Sequence, residues 1–93
     1  MSDDPDELVI SGDPQAEPSV GALAAALVEA ERSLLERRPA RVVLADDSDL
    51  ALAAALAATK LELPVAATEA ARNSSTSNGR LIGQLAPDLH SAR

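Results

Sequence analysis

Asp46, Asp47 and Glu69 are the residues of this sequence whose type and placement could do chemistry. The aspartates follow the apolar run Arg41-Val42-Val43-Leu44-Ala45, and Glu69 follows Val65-Ala66-Ala67-Thr68. If both runs are neighbouring strands, their tips bring three carboxylates within reach of one ligand. Paired carboxylates perform acid/base work when their surroundings drive their proton affinities apart. A simpler reading is that Asp46-Asp47 supply negative charge to the start of a following helix, worth a few tenths to ~1 kcal/mol. The spacing Asp46-x-x-Asp49 suggests a cation, but no calcium-loop pattern follows, and capping explains it as well. His90 stands alone, and no serine has a base partner, which argues against a nucleophilic triad. No glycine-rich phosphate loop is present. Asn78-Gly79 reads as a turn.

The elements that must position these carboxylates alternate. Leu8-Val9-Ile10 fits a short strand, ended by Ser11-Gly12-Asp13-Pro14. Pro18-Ser19 starts a helix in which Val20, Leu23, Leu27, Ala30 and Leu34 recur at helical spacing, and Pro39 stops it by Arg37 or Arg38. The run 41–45 suits a strand covered on both faces. Ser48 is the expected N-cap of a second helix reaching about Leu61, and Leu50 to Ala58 carries no charge on any side. A helix apolar all round expects burial on more than one face. Pro64 marks its exit, residues 65–68 form a weak third strand, and 69–79 form a polar loop. A last helical turn or two runs from about Gly79 to Ala86. Strand and helix in strict alternation predict right-handed crossovers and an α/β fold: a small three-stranded parallel Rossmann-like sheet with about three helices, part of a larger doubly wound fold. The organisation expected is an acidic leader over 1–18 with a short strand at 8–10, a domain over 19–90, and a tail at 91–93.

Composition narrows the functions. Twenty of the 93 residues are alanine, 22 are valine, isoleucine or leucine, and none is aromatic. A chain this small buries roughly 60–65% of its unfolded surface, so its core is thin. Without cysteine there is no disulfide, thiolate metal site or cysteine nucleophile. The net charge of −7 is concentrated in residues 1–17, which hold six acids and no base. Lacking aromatics and a basic stripe, the chain is not expected to bind nucleic acid. The cluster Arg37-Arg38 with Arg41 is read as complementing a helix C-terminus rather than gripping phosphate. No apolar run is long enough to span a membrane, and a cytoplasmic protein is expected. A three-stranded sheet would leave the apolar Leu50–Ala58 helix short of cover, which predicts an interface and, as an alternative to an enzyme, a non-catalytic α/β interaction module: a homo-oligomer, or a chain that docks on a partner protein such as a full-length relative.

The order of tips also resembles a family. The stretch Arg38-Pro39-Ala40-Arg41-Val42-Val43-Leu44-Ala45-Asp46-Asp47-Ser48, the Ala-rich helix, Leu63-Pro64-Val65 and Thr68-Glu69-Ala70-Ala71-Arg72 together resemble the non-hydrolysing UDP-N-acetylglucosamine 2-epimerases. Those enzymes carry Gly-Asp-Thr after a strand, an Ala-rich helix, Ile-Pro-Val, then Val-Glu-Ala-Gly-Leu-Arg. Asp47 falls on the family's Asp, Ser48 on its Thr and Glu69 on its Glu. Asn78-Gly79-Arg80-Leu81 resembles its Asn-Arg-Arg-Leu segment. The likeness covers most of residues 19–90. It implies a fragment of a two-domain glycosyltransferase-B-type fold that inverts the sugar carbon bearing the acetamido group by eliminating and re-adding UDP, without a cofactor or metal. On the same resemblance Asp47 and Glu69 would be catalytic, and Asp46, Ser48, Arg72, Asn78 and Arg80 would bind substrate. The sequence departs from the pattern at Asp46 and Ala71, where the family has glycine. It also lacks the paired glutamates before the Asn-Arg-Arg-Leu segment, the Arg-Pro-Glu first strand and the second domain. The expectation is a chain impaired or inactive alone, binding a UDP-sugar weakly if at all.

Overall fold

The computed structural model describes residues 6–13 and 19–86. Residues 1–5 of the leader, Pro14, Pro18, His90 and the 91–93 tail lie outside the described residues. Three strands and three helices alternate: β1 (Glu7–Ile10), α1 (Val20–Arg37), β2 (Arg41–Leu44), α2 (Asp49–Lys60), β3 (Val65–Ala67) and α3 (Ser77–Leu85). The strands form one parallel sheet in the order β1-β2-β3, with Val9 opposite Val43 and Val43 opposite Ala66. This is the α/β arrangement expected from the alternation. Right-handed crossovers in that order put α1 and α2 on one face of the sheet.

Each helix starts on a hydroxyl. Ser19, Ser48 and Thr76 have extended backbones, and their side-chain oxygens accept from the amides of Ala22, Ala51 and Gly79 at 3.2, 3.1 and 3.0 Å. Each bond satisfies one of the donors that a helix start leaves without a partner. The ends are equally explicit. Arg38 turns left-handed (φ 46°) ahead of Pro39 and ends α1. Glu62 (φ 61°) ends α2, with its amide on the Thr59 carbonyl and the Leu63 amide on that of Ala58, before Pro64. Arg37 stands in the last turn of α1, whereas Arg41 belongs to β2 and pairs with Glu7 across the sheet rather than with the helix end.

The core is built around α2. Ala51 to Ala55, Ala57 and Ala58 are buried, among them Leu52, together with Leu34, Val42, Leu44, Ala67 and Ile82. The helix packs against all three strands and against α1 and α3. This corrects the expectation that a small sheet would leave it short of cover. Methyl side chains let neighbouring backbones come close, so two helices and three short strands suffice to enclose it. The apolar side chains left outside lie elsewhere, chiefly Val20, Val28 and Leu35 on α1, Val9 on β1 and Leu81 on α3.

The sequence places the start of the last helix two residues late. α3 begins at Ser77 with Thr76 as its cap, so Asn78 and Gly79 lie in its first turn and do not form the separate turn expected of them. Of the three caps, Ser48 is the buried one. Ser48→Ala should therefore cost about 1–2 kcal/mol, the upper part of the range for a lost N-cap. A urea titration would show the midpoint fall with an unchanged slope.

Candidate functional site

Parallel pairing puts the ends of β2 and β3 side by side, and Asp47 and Glu69 each follow within three residues of those ends. Both therefore lie along the same edge of the sheet. The starts of α1, α2 and α3 meet there too, because among the described residues each helix follows a strand tip. Helix N-termini carry partial positive charge and unpaired N–H groups, which is why aspartates gather here.

Asp46 is half-buried and fully engaged. One carboxylate oxygen accepts the Gly12 amide at 2.9 Å, and the other accepts the Ser48 amide at 3.1 Å. It thus ties the loop after β1 to the start of α2. The approach is tight enough to demand glycine: a Cβ on Gly12 would stand 2.6 Å from Ser48 Oγ and 2.9 Å from Ser48 Cβ. Asp47 faces the other way. Its Oδ2 accepts the Thr76 hydroxyl at 2.7 Å and the side-chain Nδ2 of Asn73 at 3.4 Å. Its main-chain carbonyl accepts Asn78 Nδ2 at 3.0 Å, and the same nitrogen donates to Asp49 Oδ1, also at 3.0 Å. Asp49 Oδ2 then receives the Ser19 amide at 3.3 Å. Three aspartates so bind the β1 loop, the start of α1 and the start of α3 to one helix terminus.

The β3 tip is organised by Thr68. Its hydroxyl donates to the Ala45 carbonyl at 3.1 Å and accepts the Ala71 amide at 3.2 Å, while its carbonyl takes the Arg72 amide at 3.1 Å. Glu69 sits exposed on this turn. Arg80 is exposed on α3 and reaches back to the Ser74 carbonyl at 3.1 Å.

Among the residues singled out in the sequence, Asp46, Asp47, Ser48 and Asn78 form one bonded group. Glu69 and Arg72 share the neighbouring tip, and Arg80 stands on the outer side of the loop. Sequence reasoning missed Gly12, Thr68, Asn73 and Thr76, and it gave Asp49 only a local role. Thr76 is a residue type that caps helices, but Gly79 stands where a capping box would have Glu or Gln, so the signal is weak, and the other partnerships join residues 23 to 34 positions apart. Among the described residues no group of three or more histidine, cysteine, aspartate or glutamate side chains is placed to hold a metal ion, and no helix is long and apolar enough to cross a membrane.

A small parallel α/β sheet with polar tips along the C-terminal edge of its strands defines a Rossmann-like unit, the class in which ligands sit at that edge. No protein-family model matches the chain, and no curated protein matches it. Solved structures do. UDP-GlcNAc 2-epimerase from Methanocaldococcus jannaschii superposes with a TM-score of 0.66 at 30% sequence identity, over 84% of this chain and 24% of that one. The S. aureus MnaA–UDP co-structure superposes with a TM-score of 0.63 at 21% identity, over 80% of this chain and 23% of that one, a likeness of fold alone. The resemblance to the 2-epimerases read from the sequence is thus borne out by structure. The chain spans about a quarter of the length of these relatives.

Proposed function

We propose that the chain is an epimerase-type fragment that binds a UDP-sugar weakly along its C-terminal strand edge and does not turn it over alone. The observation that carries this reading is the 30% identity with the M. jannaschii enzyme over 84% of the chain. The placement of Asp47 and Glu69 along the ligand-facing edge supports it. On this reading those two residues are the acid/base pair, with Asp46, Ser48, Arg72, Asn78 and Arg80 around the ligand. Moving a proton on and off carbon needs such groups free on both faces of the sugar ring. Here Asp46 is held by two amides and Asp47 by a hydroxyl and an amide, which leaves Glu69 as the exposed carboxylate of the trio.

The test pairs a binding and a turnover measurement on the intact chain. At tenfold excess over its dissociation constant, UDP-GlcNAc stabilises the fold by about 1.4 kcal/mol, which raises Tm by roughly 5–10 °C in a domain of this size. No 2-epimer should accumulate. Turnover that disappears in Asp47→Asn would overturn the inactive reading, and an unchanged Tm with both UDP and UDP-GlcNAc would remove the binding. A second reading, a module that self-associates, is favoured by one observation. Val20, Val28 and Leu35 recur seven and eight residues apart on α1 and are exposed, Val20 by 84%. Light scattering on the same sample separates the two, since only the module gains mass with concentration.

A further inference from the structure

Beside the place that the binding reading gives Asn78, the dipeptide Asn78-Gly79 joins two further facts. Glycine offers no Cβ to hinder its own main-chain nitrogen, so an asparagine before it is open to attack by that nitrogen. Yet Asn78 is also the side chain that fastens α3 to the start of α2, through Nδ2 on the Asp47 carbonyl and on Asp49 Oδ1, both at 3.0 Å. We propose that Asn78 is a site of spontaneous deamidation, held in check by the folded first turn of α3, whose conversion releases that helix from the edge of the sheet.

The chemistry needs only water. The Gly79 nitrogen gives up its proton and bonds to Asn78 Cγ, the Cγ–Nδ2 bond breaks, and ammonia departs with that proton. Water then opens the cyclic imide at either carbonyl, leaving an aspartyl or an isoaspartyl residue. In the folded chain the first step is blocked twice. Residue 78 is helical, which directs the next nitrogen away from Cγ, and the Gly79 amide is occupied by Thr76 Oγ1 at 3.0 Å. Opening of that turn is therefore the gate.

Conversion removes two donors and leaves a carboxylate facing the Asp47 carbonyl and the Asp49 carboxylate, three acceptors with no proton among them. A negative charge in the first turn of α3 gains something from the helix dipole, a factor of about two to five. Two lost hydrogen bonds and the facing like charge outweigh it, raising the open population of α3 about tenfold. The isoaspartyl product adds a main-chain carbon and breaks the turn outright. Because the imide is hydrolysed irreversibly, the change runs one way.

The experiment follows conversion by peptide mass mapping in warm, mildly alkaline buffer, with hydrogen exchange of the α3 amides measured in parallel. Thr76→Ala removes the cap that occupies the Gly79 amide and should speed conversion about fivefold, while Asn73, in the exposed loop before Ser74, should not change. Asn78→Asp, which fixes the charge without the chemistry, should lose α3 exchange protection about tenfold. Asn78→Gln should stay unconverted. Should Thr76→Ala fail to fold, wild type in graded urea replaces it, and conversion must then rise in step with α3 exchange. Conversion that ignores Thr76→Ala or urea, absence of conversion when α3 is open, or an Asn78→Asp chain with α3 as protected as wild type each overturns the proposal.

Discussion

Gly79→Ala should abolish the cooperative thermal transition of this chain or lower it by well over 10 °C. Alanine is the better helix former by about 1 kcal/mol, so propensity alone predicts a gain. The surroundings decide otherwise. A Cβ on Gly79 would stand 1.8 Å from the Asn73 carbonyl oxygen and 2.5 Å from its carbon. Both are backbone atoms, and that loop is fixed by Asn73 and Thr76 on Asp47. Relief requires α3 to back away, which uncaps it, breaks the Asn78 bonds and opens the cover over Ile82. A cost of at least ~3 kcal/mol is expected, against a total of about 5–14 kcal/mol for a chain of 93 residues. Gly83 in the same helix has nothing within 4 Å of a built Cβ. Gly83→Ala should therefore stabilise by up to ~1 kcal/mol. Circular dichroism melts of the two variants side by side give opposite signs, and equal signs would refute the clash.

Leucine in place of Ala55 is the second large effect. Ala55 is wholly buried in the middle of α2, the helix that every other element packs against. Three added carbon atoms there push α2 away from its neighbours, at a cost of about 3 kcal/mol or more. Ala54, one residue earlier, is nearly as buried but lines a cleft of about 230 Å³ with Leu8, Ile10, Ala30 and Leu34. Ala54→Leu places its new atoms in that space and should change stability by less than ~1 kcal/mol. Chemical denaturation of the pair checks the contrast, which follows from shape, since both substitutions add the same hydrocarbon.

The parts of the fold that depend on local pattern were legible in the sequence. Ser19 and Ser48 announced their helices, and Pro39 and Pro64 closed them. The uncharged 50–58 stretch announced burial, and strict alternation gave the parallel order. The parts that depend on pairing across the chain were not. Asn78-Gly79 has the composition of a turn, and the Thr76 cap on the Gly79 amide together with the docking of Asn78 on Asp47 and Asp49 holds it in a helix. The burial of α2 could be read, but what buries it could not, because composition does not show how near α1 and α3 can approach over a surface of methyl groups. At the candidate site the sequence located the carboxylates on one edge. It could not show that Asp46 spends both oxygens on Gly12 and Ser48, since that depends on a glycine 34 positions away.

An interior built mostly from alanine has a thermodynamic signature of its own. Alanine freezes no side-chain rotors on folding, so order is achieved at little entropic loss beyond the backbone. Melting likewise exposes less hydrocarbon to water than a leucine-filled centre would. The heat capacity increment of unfolding is correspondingly small, and free energy plotted against temperature describes a low, broad arch rather than a steep dome. Such a molecule changes its stability little over a wide span of temperature, while never being very far from its unfolded ensemble.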